Sequence, residues 1–478
     1  MVFTSFNFMI FFPLVILIYY LLPKSVRWTF LLFVSYFFYI NINPIYSLLL
    51  AGVTISTYLF TILIDKTDSE SRKKNILIVN IIVTLLPLFF FKYFDFINQT
   101  IFDILKHNGL RWPLPDLSLL LPVGISFYTF MAIGYSIDVY NETIRAEKNI
   151  MRVALFLSFF PIVLSGPIER AINMFHQFKG NIEFNYAKLA KGLKLMLWGY
   201  FMKLVIAERV AIYISAIFNN IEHHSGISLL FATMLYPIQV YGDLGGYSLI
   251  AIGCANVMGI DIIPNFNRPF FSTSMSEFWR RWHMSLIKWL TDYIYTPISF
   301  GLRQYKVWGI VIALLMTFFI SGVWHGAALS FIIWGTLQGV VLSVEALTIR
   351  KRVTLENRYI LKSKPWYIFL SCLITYTIFA FSLIFGGAVD SISDIFLVFQ
   401  KIFTDTQHLF IDGSTLVYSL IGIVLLFLSE FRDEYFPDKF KLFENDNIVV
   451  RWVAYLFISL LIIMIGVFNG GQFIYFQF

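Results

Sequence analysis

Residues 307–347 read VWGIVIALLMTFFISGVWHGAALSFIIWGTLQGVVLSVEAL. No charge occurs before Glu345, and the run is interrupted only by the small residues Ser321–Gly322 and Gly326–Ala327–Ala328, with His325 inside that break. A membrane crossing needs roughly 20 consecutive apolar residues, so the stretch holds about two. An ionisable side chain in such a run is costly and marks function by default. A neutral imidazole is also the usual general base near neutral pH. The alternative is a histidine that only packs two helices between small residues. Spacing leaves its depth open: two full spans put the break at a membrane surface, whereas tilted or partial helices put His325 deep.

The remainder of the 478 residues agrees with this segment. Hydrophobic residues make up 58%, aromatics 19% and charged residues only 14%, and mean hydropathy is +0.74. Soluble domains run near 45–50% apolar and about 25% charged, so a water-soluble globule is excluded. Apolar runs near 5–22, 28–40, 45–64, 75–94, 119–140, 151–168, 185–206, 227–260, 307–347, 366–386, 415–429 and 449–468 predict an all-α polytopic membrane protein. They allow 11–13 membrane or half-membrane helices. No repeat, heptad pattern or low-complexity linker divides the chain, so residues 1–478 are expected to form a single domain. The opening MVFTSFNFMIFFPLVILIYYLLP lacks a basic leader and a cleavage site and reads as an uncleaved first span.

The net charge of +7 comes from short basic loops, which the positive-inside effect explains without nucleic acid. Lys24 and Arg27, then Lys66, Arg72, Lys73 and Lys74, then Arg350, Lys351, Arg352, Arg358, Lys362 and Lys364 form these loops. If they face the cytoplasm, both termini lie outside it. Cys254 and Cys372 sit in apolar stretches with no metal-ligand spacing and read as packing residues.

Residues 264–297, PNFNRPFFSTSMSEFWRRWHMSLIKWLTDYIYTP, carry a second pattern. Ser274 and Glu277 form a capping box. Met275, Phe278, Trp279, Trp282, Leu286, Trp289, Leu290 and Tyr293 then recur at helical spacing, opposite Glu277, Arg280, Arg281, Lys288 and Asp292. This predicts one amphipathic helix lying at a membrane interface. His283 falls on its apolar face, where a core histidine is the plain reading. Glu169 and Arg170 in SGPIER and Asp243 in the glycine-rich YGDLGGYS could line a substrate path or form local ion pairs and caps. Asn265 and Arg268 could position the start of the His283 helix. His223 and His224 lack a third ligand nearby, so no metal is expected. No phosphate-binding glycine loop, His-Glu-x-x-His or Gly-x-Ser-x-Gly motif occurs.

FWRRWHMSLIKWLTDYIYTPI, followed 42 residues after His283 by the histidine of SGVWHG, resembles the membrane-bound O-acyltransferases, and best their bacterial alginate O-acetyltransferase-like branch. LPVGISFYTFMAIGYSIDVY at 121–140, SFFPIVLSGPIER at 158–170, NFNRPF at 265–270 and the closing FIYFQF carry the same resemblance. Two stretches depart from it: Leu244–Gly245 replaces a more usual aromatic and small pair, and SLIFGGAVDS at 382–391 lacks a Phe-Arg-Ala-like segment. The resemblance implies membrane helices around a central tunnel, with residues 264–347 as the catalytic core segment and 469–478 as an aromatic tail. It implies transfer of an acyl group, most simply acetyl from cytoplasmic acetyl-CoA, onto a cell-surface polysaccharide at the plasma membrane. No bound cofactor is expected. His325 would be the base, and His283 would orient substrate or polarise the thioester carbonyl. Trp279, Trp282, Trp324, Asn265, Arg268, Asp243 and Glu169 are candidates for the substrate path. Tyr475 in the tail would relay the acyl group to an extracytoplasmic SGNH-type partner, or simply anchor the last helix. D-alanyl transfer to teichoic acid is the runner-up, and a transporter using the same histidines as a proton relay is the alternative from another class.

Overall fold

The computed structural model describes residues 1–108, 114–180, 182–389 and 391–468, and among them all regular structure is helical. Among the described residues, eight helices are long and apolar enough to cross a membrane: Pro44–Lys66, Glu70–His107, Gly226–Val257, Val307–His325, Leu329–Arg358, Pro365–Ser382, Gly413–Tyr435 and Ile448–Ile465. Other apolar runs fold as shorter helices, among them Phe6–Leu21, Arg27–Ile40, Ile125–Tyr140 and Ile150–Ser158. Helices are what the composition requires, because a backbone in hydrocarbon must satisfy its own hydrogen bonds.

Contacts divide the chain into two compact units, Met1–Leu193 with Ile250–Ile263, and Lys194–Leu249 with Pro264–Phe478. The first unit buries an aromatic cluster that includes Phe3, Phe8, Phe38 and Phe160. Two polar pairs lie inside it. Asn80 Nδ2 donates to Ser136 Oγ at 2.6 Å, and Arg170 Nη1 meets Asp138 Oδ1 at 3.2 Å. Glu169 accepts the backbone N–H groups of Ile263 and Arg170, so this carboxylate ties the loop before Ala171 to the segment ending the unit.

The second unit is organised by a hairpin. Val307–His325 and Leu329–Arg358 pack along each other and turn at residues 326–328. Small residues permit the approach: a Cβ on Gly335 would lie 2.3 Å from Phe318 O, and one on Gly322 would lie 2.5 Å from Phe331 O. Close packing of backbones is the usual basis of helix pairing where lipid removes any hydrophobic drive. YGDLGGYS is explained in the same way. A side chain on Gly246 would lie 2.7 Å from Gly199 O, and Tyr241–Gly245 forms a π-helical turn facing a second one at Phe201–Ala207. Asp243 ion-pairs there with Lys203 at 2.6 Å, and Glu208 pairs with the same ammonium.

Candidate active site

The amphipathic helix expected over 274–293 is broken. The chain runs as Met275–Arg281 and Met284–Leu290, with His283 between them in the left-handed region at φ 46°, ψ 48°. Periodicity could not show this, since both pieces keep the same apolar stripe. Nor do these side chains lie open at an interface: Phe278, Trp279, Trp282, His283 and Trp289 are all buried. The left-handed conformation costs a non-glycine residue roughly 1–2 kcal/mol, and the surroundings supply bonds that hold it. Asn265 O accepts Met284 N–H at 2.8 Å, and Asn265 Oδ1 accepts Ser285 Oγ–H at 2.9 Å and Ser285 N–H at 3.3 Å. Asn265 Nδ2 in turn donates to Ser248 Oγ at 3.0 Å. Asn265 therefore fixes the residues that follow His283.

Arg268, also left-handed at φ 46°, is held from the other side. Glu434 accepts Arg268 Nε at 2.7 Å and Arg281 Nη2 at 2.9 Å, and Arg281 also reaches Glu277 at 2.7 Å. The capping box forms at its helix end, with Ser274 Oγ accepting Glu277 N–H at 3.2 Å, while the Glu277 carboxylate returns to Thr273 rather than to Ser274. A third carboxylate completes this start. Glu345, on the Leu329–Arg358 helix, accepts Met275 N–H at 2.8 Å and Ser276 N–H at 2.9 Å.

His325 is the last residue of its helix and is buried at 9% exposure. The hairpin helices are long enough to span, at about 28 Å for the first by rise per residue. The break is thus at the tip of two long helices. Burial comes from aromatic neighbours: His325 lies 4.9 Å from the Trp324 ring and 4.8 Å from the Trp334 ring, centroid to centroid. Its Nδ1 is 2.7 Å from Ser321 O. A carbonyl only accepts, so Nδ1 carries the proton and Nε2 keeps the lone pair. The same carbonyl-rich helix end favours positive charge, which stabilises the imidazolium that a base becomes.

His283 and His325 are brought together: the His283 ring lies 6.2 Å from the Trp324 ring that His325 also touches. Burial pushes the His283 imidazole down to about 3, and charge on His325 pushes in the same direction. His283 is therefore neutral, a polar group and not a cation beside His325. Trp279 and Trp282 line the segment leading to it, against Phe379 at 6.0 and 4.9 Å. Of the other sequence candidates, Asn265 and Arg268 brace the His283 turn, Asp243 is engaged by Lys203, and Glu169 belongs to the first unit. Tyr475 lies outside the described residues. Among the described residues no group of three His, Cys, Asp or Glu side chains could hold a metal. Sequence reasoning missed Gln338, Glu345 and Glu434. Glu345 alone carried a signal, as the first charge of its run.

Known proteins are similar to this chain in sequence. A probable alginate O-acetylase AlgI of Pseudomonas aeruginosa is 36% identical over 347 residues, 72% of this chain and 66% of that protein. A peptidoglycan O-acetyltransferase of Helicobacter pylori is 34% identical over 342 residues, 66% of this chain and 63% of that protein. A teichoic acid D-alanyltransferase of Bacillus subtilis is 28% identical over 316 residues, 64% of this chain and 76% of that protein. The matches span about two thirds of the length of the alginate and peptidoglycan relatives. The family model for membrane-bound O-acyltransferases matches residues 140–386, a range that contains both histidines and the braces described around them except Glu434. With a helical membrane architecture and relatives of this kind, the chain belongs to the membrane-bound O-acyltransferase family.

Proposed function

We propose that this protein takes an acetyl group from a cytoplasmic thioester, most simply acetyl-CoA, and delivers it for O-acetylation of a cell-surface polysaccharide. The observation that carries the chemistry is the His325 bond to Ser321 O, which leaves Nε2 as a buried base. A hydroxyl is a poor nucleophile at neutral pH and needs such a base within hydrogen-bond reach. The hydroxyl oxygen attacks the thioester carbon, its proton passes to Nε2, and collapse of the tetrahedral intermediate releases the thiolate, which takes that proton. Neutral His283 orients the thioester or donates to its oxygen.

The names of the O-acetylating relatives support a polysaccharide or peptidoglycan acceptor, and the D-alanyltransferase relative supports alanyl transfer as the second reading. A cytoplasmic donor and an outer acceptor call for a carrier between them. We assign that role to Tyr475, whose phenol becomes a usable nucleophile beside a histidine base, with an SGNH-type partner outside the plasma membrane and both termini on that side. A transporter has no support from the family match.

The test measures ester-linked acetate and alanine on envelope polymers of a deletion strain complemented with wild type or His325→Ala at matched membrane levels. Acetate restored by wild type alone is the expected result. Equal restoration by both removes His325 from the chemistry, and alanine in place of acetate selects the second reading. Tyr475→Phe should lose acetate at normal protein level, whereas full activity would end the relay.

A further inference from the structure

Two indoles flank His325, and one of them offers an unused donor. Trp334 is 4% exposed, and its Nε1–H meets no hydrogen-bond acceptor among the described residues. A buried donor left unsatisfied costs about 1–3 kcal/mol, and in folded proteins such an atom calls for an explanation such as catalysis or a bound group. Phenylalanine would fill the ring position without that cost. The second observation is Gly386. A Cβ there would lie 3.0 Å from Trp334 Nε1 and 3.1 Å from Cδ1, so glycine is what lets the backbone pack this closely on that edge of the indole. The third is place: the Trp334 ring centroid is 4.8 Å from that of the His325 imidazole.

From these we infer that the Trp334 Nε1–H donates a hydrogen bond to the acyl carbonyl oxygen during transfer, a catalytic role that rests on the acyl-transfer reading above. A carbonyl carbon attacked by a hydroxyl bound to His325 has its oxygen one bond away, so a donor to that oxygen has to stand beside the imidazole. As the new carbon–oxygen bond forms, the carbonyl π electrons move onto this oxygen. The indole bond strengthens with that charge, and is relaxed when the carbon–sulfur bond breaks and the electrons return. An indole N–H is a donor only and does not titrate, so it does not compete with His325 for the nucleophile's proton.

The test follows the initial rate at which label from radioactive acetyl-CoA enters non-thioester material in inside-out membrane vesicles. Trp334→Phe keeps an aromatic ring against His325 and removes the donor; benzothienylalanine at 334 keeps the full bicyclic shape and replaces N–H by sulfur. Both should lower the rate about a hundredfold to a thousandfold with an unchanged or raised melting temperature in detergent. A wild-type rate in the benzothienylalanine protein would overturn the inference, whatever Trp334→Phe does to folding. His325→Ala, run alongside, separates the two levels. If it is inactive while the Trp334 variants match wild type, only the donor role falls; if it is as fast as wild type, His325 leaves the chemistry and the donor role placed beside it falls too, whereas no transfer of label by the wild-type protein ends the acyl-transfer reading itself.

Discussion

At His325 one hydrogen bond decides which nitrogen carries the proton. The bond from Nδ1–H to Ser321 O uses the residue's own helix, so the tautomer is set by local backbone geometry. His283 depends on its neighbours instead, because a left-handed histidine is kept only by what surrounds it. Asn265→Ala removes the bonds to Ser285 and should lower acyl transfer about tenfold while the thermal melt in detergent shifts by only a few degrees. Restoration of the rate by Asn265→Asp, which keeps the acceptor, would identify that acceptor as the working atom. Burial keeps His283 neutral above a pH of about 3. Any acidic limb of the pH–rate profile between pH 5 and 8 therefore belongs to another group, and His283→Gln should lower the rate without moving that limb. A limb that moves in His283→Gln would contradict the neutral assignment.

The Leu329–Arg358 helix sets the spacing of the two histidines at the scale of an element. Trp334, Gln338 and Glu345 follow one another along it and grip the His283 segment at successive heights. Trp334 meets Trp279 at 6.0 Å, Gln338 Oε1 accepts Trp279 Nε1–H at 3.2 Å, and Glu345 caps Met275 and Ser276. Gln338 Nε2 also donates to Ser382 Oγ at 2.7 Å, linking the Pro365–Ser382 helix to the same point. Gln338→Met and Trp279→Phe each break the same bond, so each should cost about 1–3 kcal/mol of stability and the double variant little more than either. Full additivity in thermal or denaturant unfolding would show that the two side chains act separately. In the hairpin, Gly335→Leu should prevent folding, because even a Cβ would lie 2.3 Å from Phe318 O; a normal yield of protein would argue against this packing.

Two kinds of buried charge govern the molecule as a whole. In the second unit Lys203 is shared by Asp243 and Glu208. Removing it by Lys203→Met leaves two carboxylates facing each other and should cost about 3–5 kcal/mol, whereas replacing all three by neutral residues of similar size should recover much of that loss. In the first unit Glu147 is 5% exposed in its side chain and meets Lys179 at 2.7 Å. Burial alone would raise its carboxyl, but the bonds from Lys179 and Asn149 N–H and the charge of Arg152 outweigh it and hold the group below its usual value. A carboxyl lowered on folding contributes stability above its unfolded pKa and loses it as pH falls through the folded one. The melting temperature should therefore drop on acidification below about pH 4.5, and Glu147→Gln should melt lower at neutral pH but flatten that drop. A parallel decline in both proteins would assign the acid sensitivity elsewhere.

Much of this was determined by composition and spacing. An apolar chain with basic loops must be a set of membrane helices, because backbone polar groups cannot be left open in hydrocarbon. An isolated imidazole between small residues at 325 stands out as a candidate, since an ionisable group in an apolar run is costly. The paired histidines and their flanking motifs likewise identified the family from residues alone. What the sequence could not determine was the conformation at His283. Two short helices joined by a left-handed residue keep the same three- and four-residue stripe as one long helix, so hydropathy does not tell them apart. Only the tertiary structure showed that Asn265, 18 residues earlier, bonds to Met284 and Ser285, and that Gln338 and Glu345 on another helix bind the segment in front of it. Those bonds join residues far apart in the chain, and no local pattern encodes which distant donor meets which acceptor. The tautomer of His325 could be anticipated from its helix; its aromatic enclosure, the vacant donor of Trp334 and the sharing of Lys203 by two carboxylates were decided by packing.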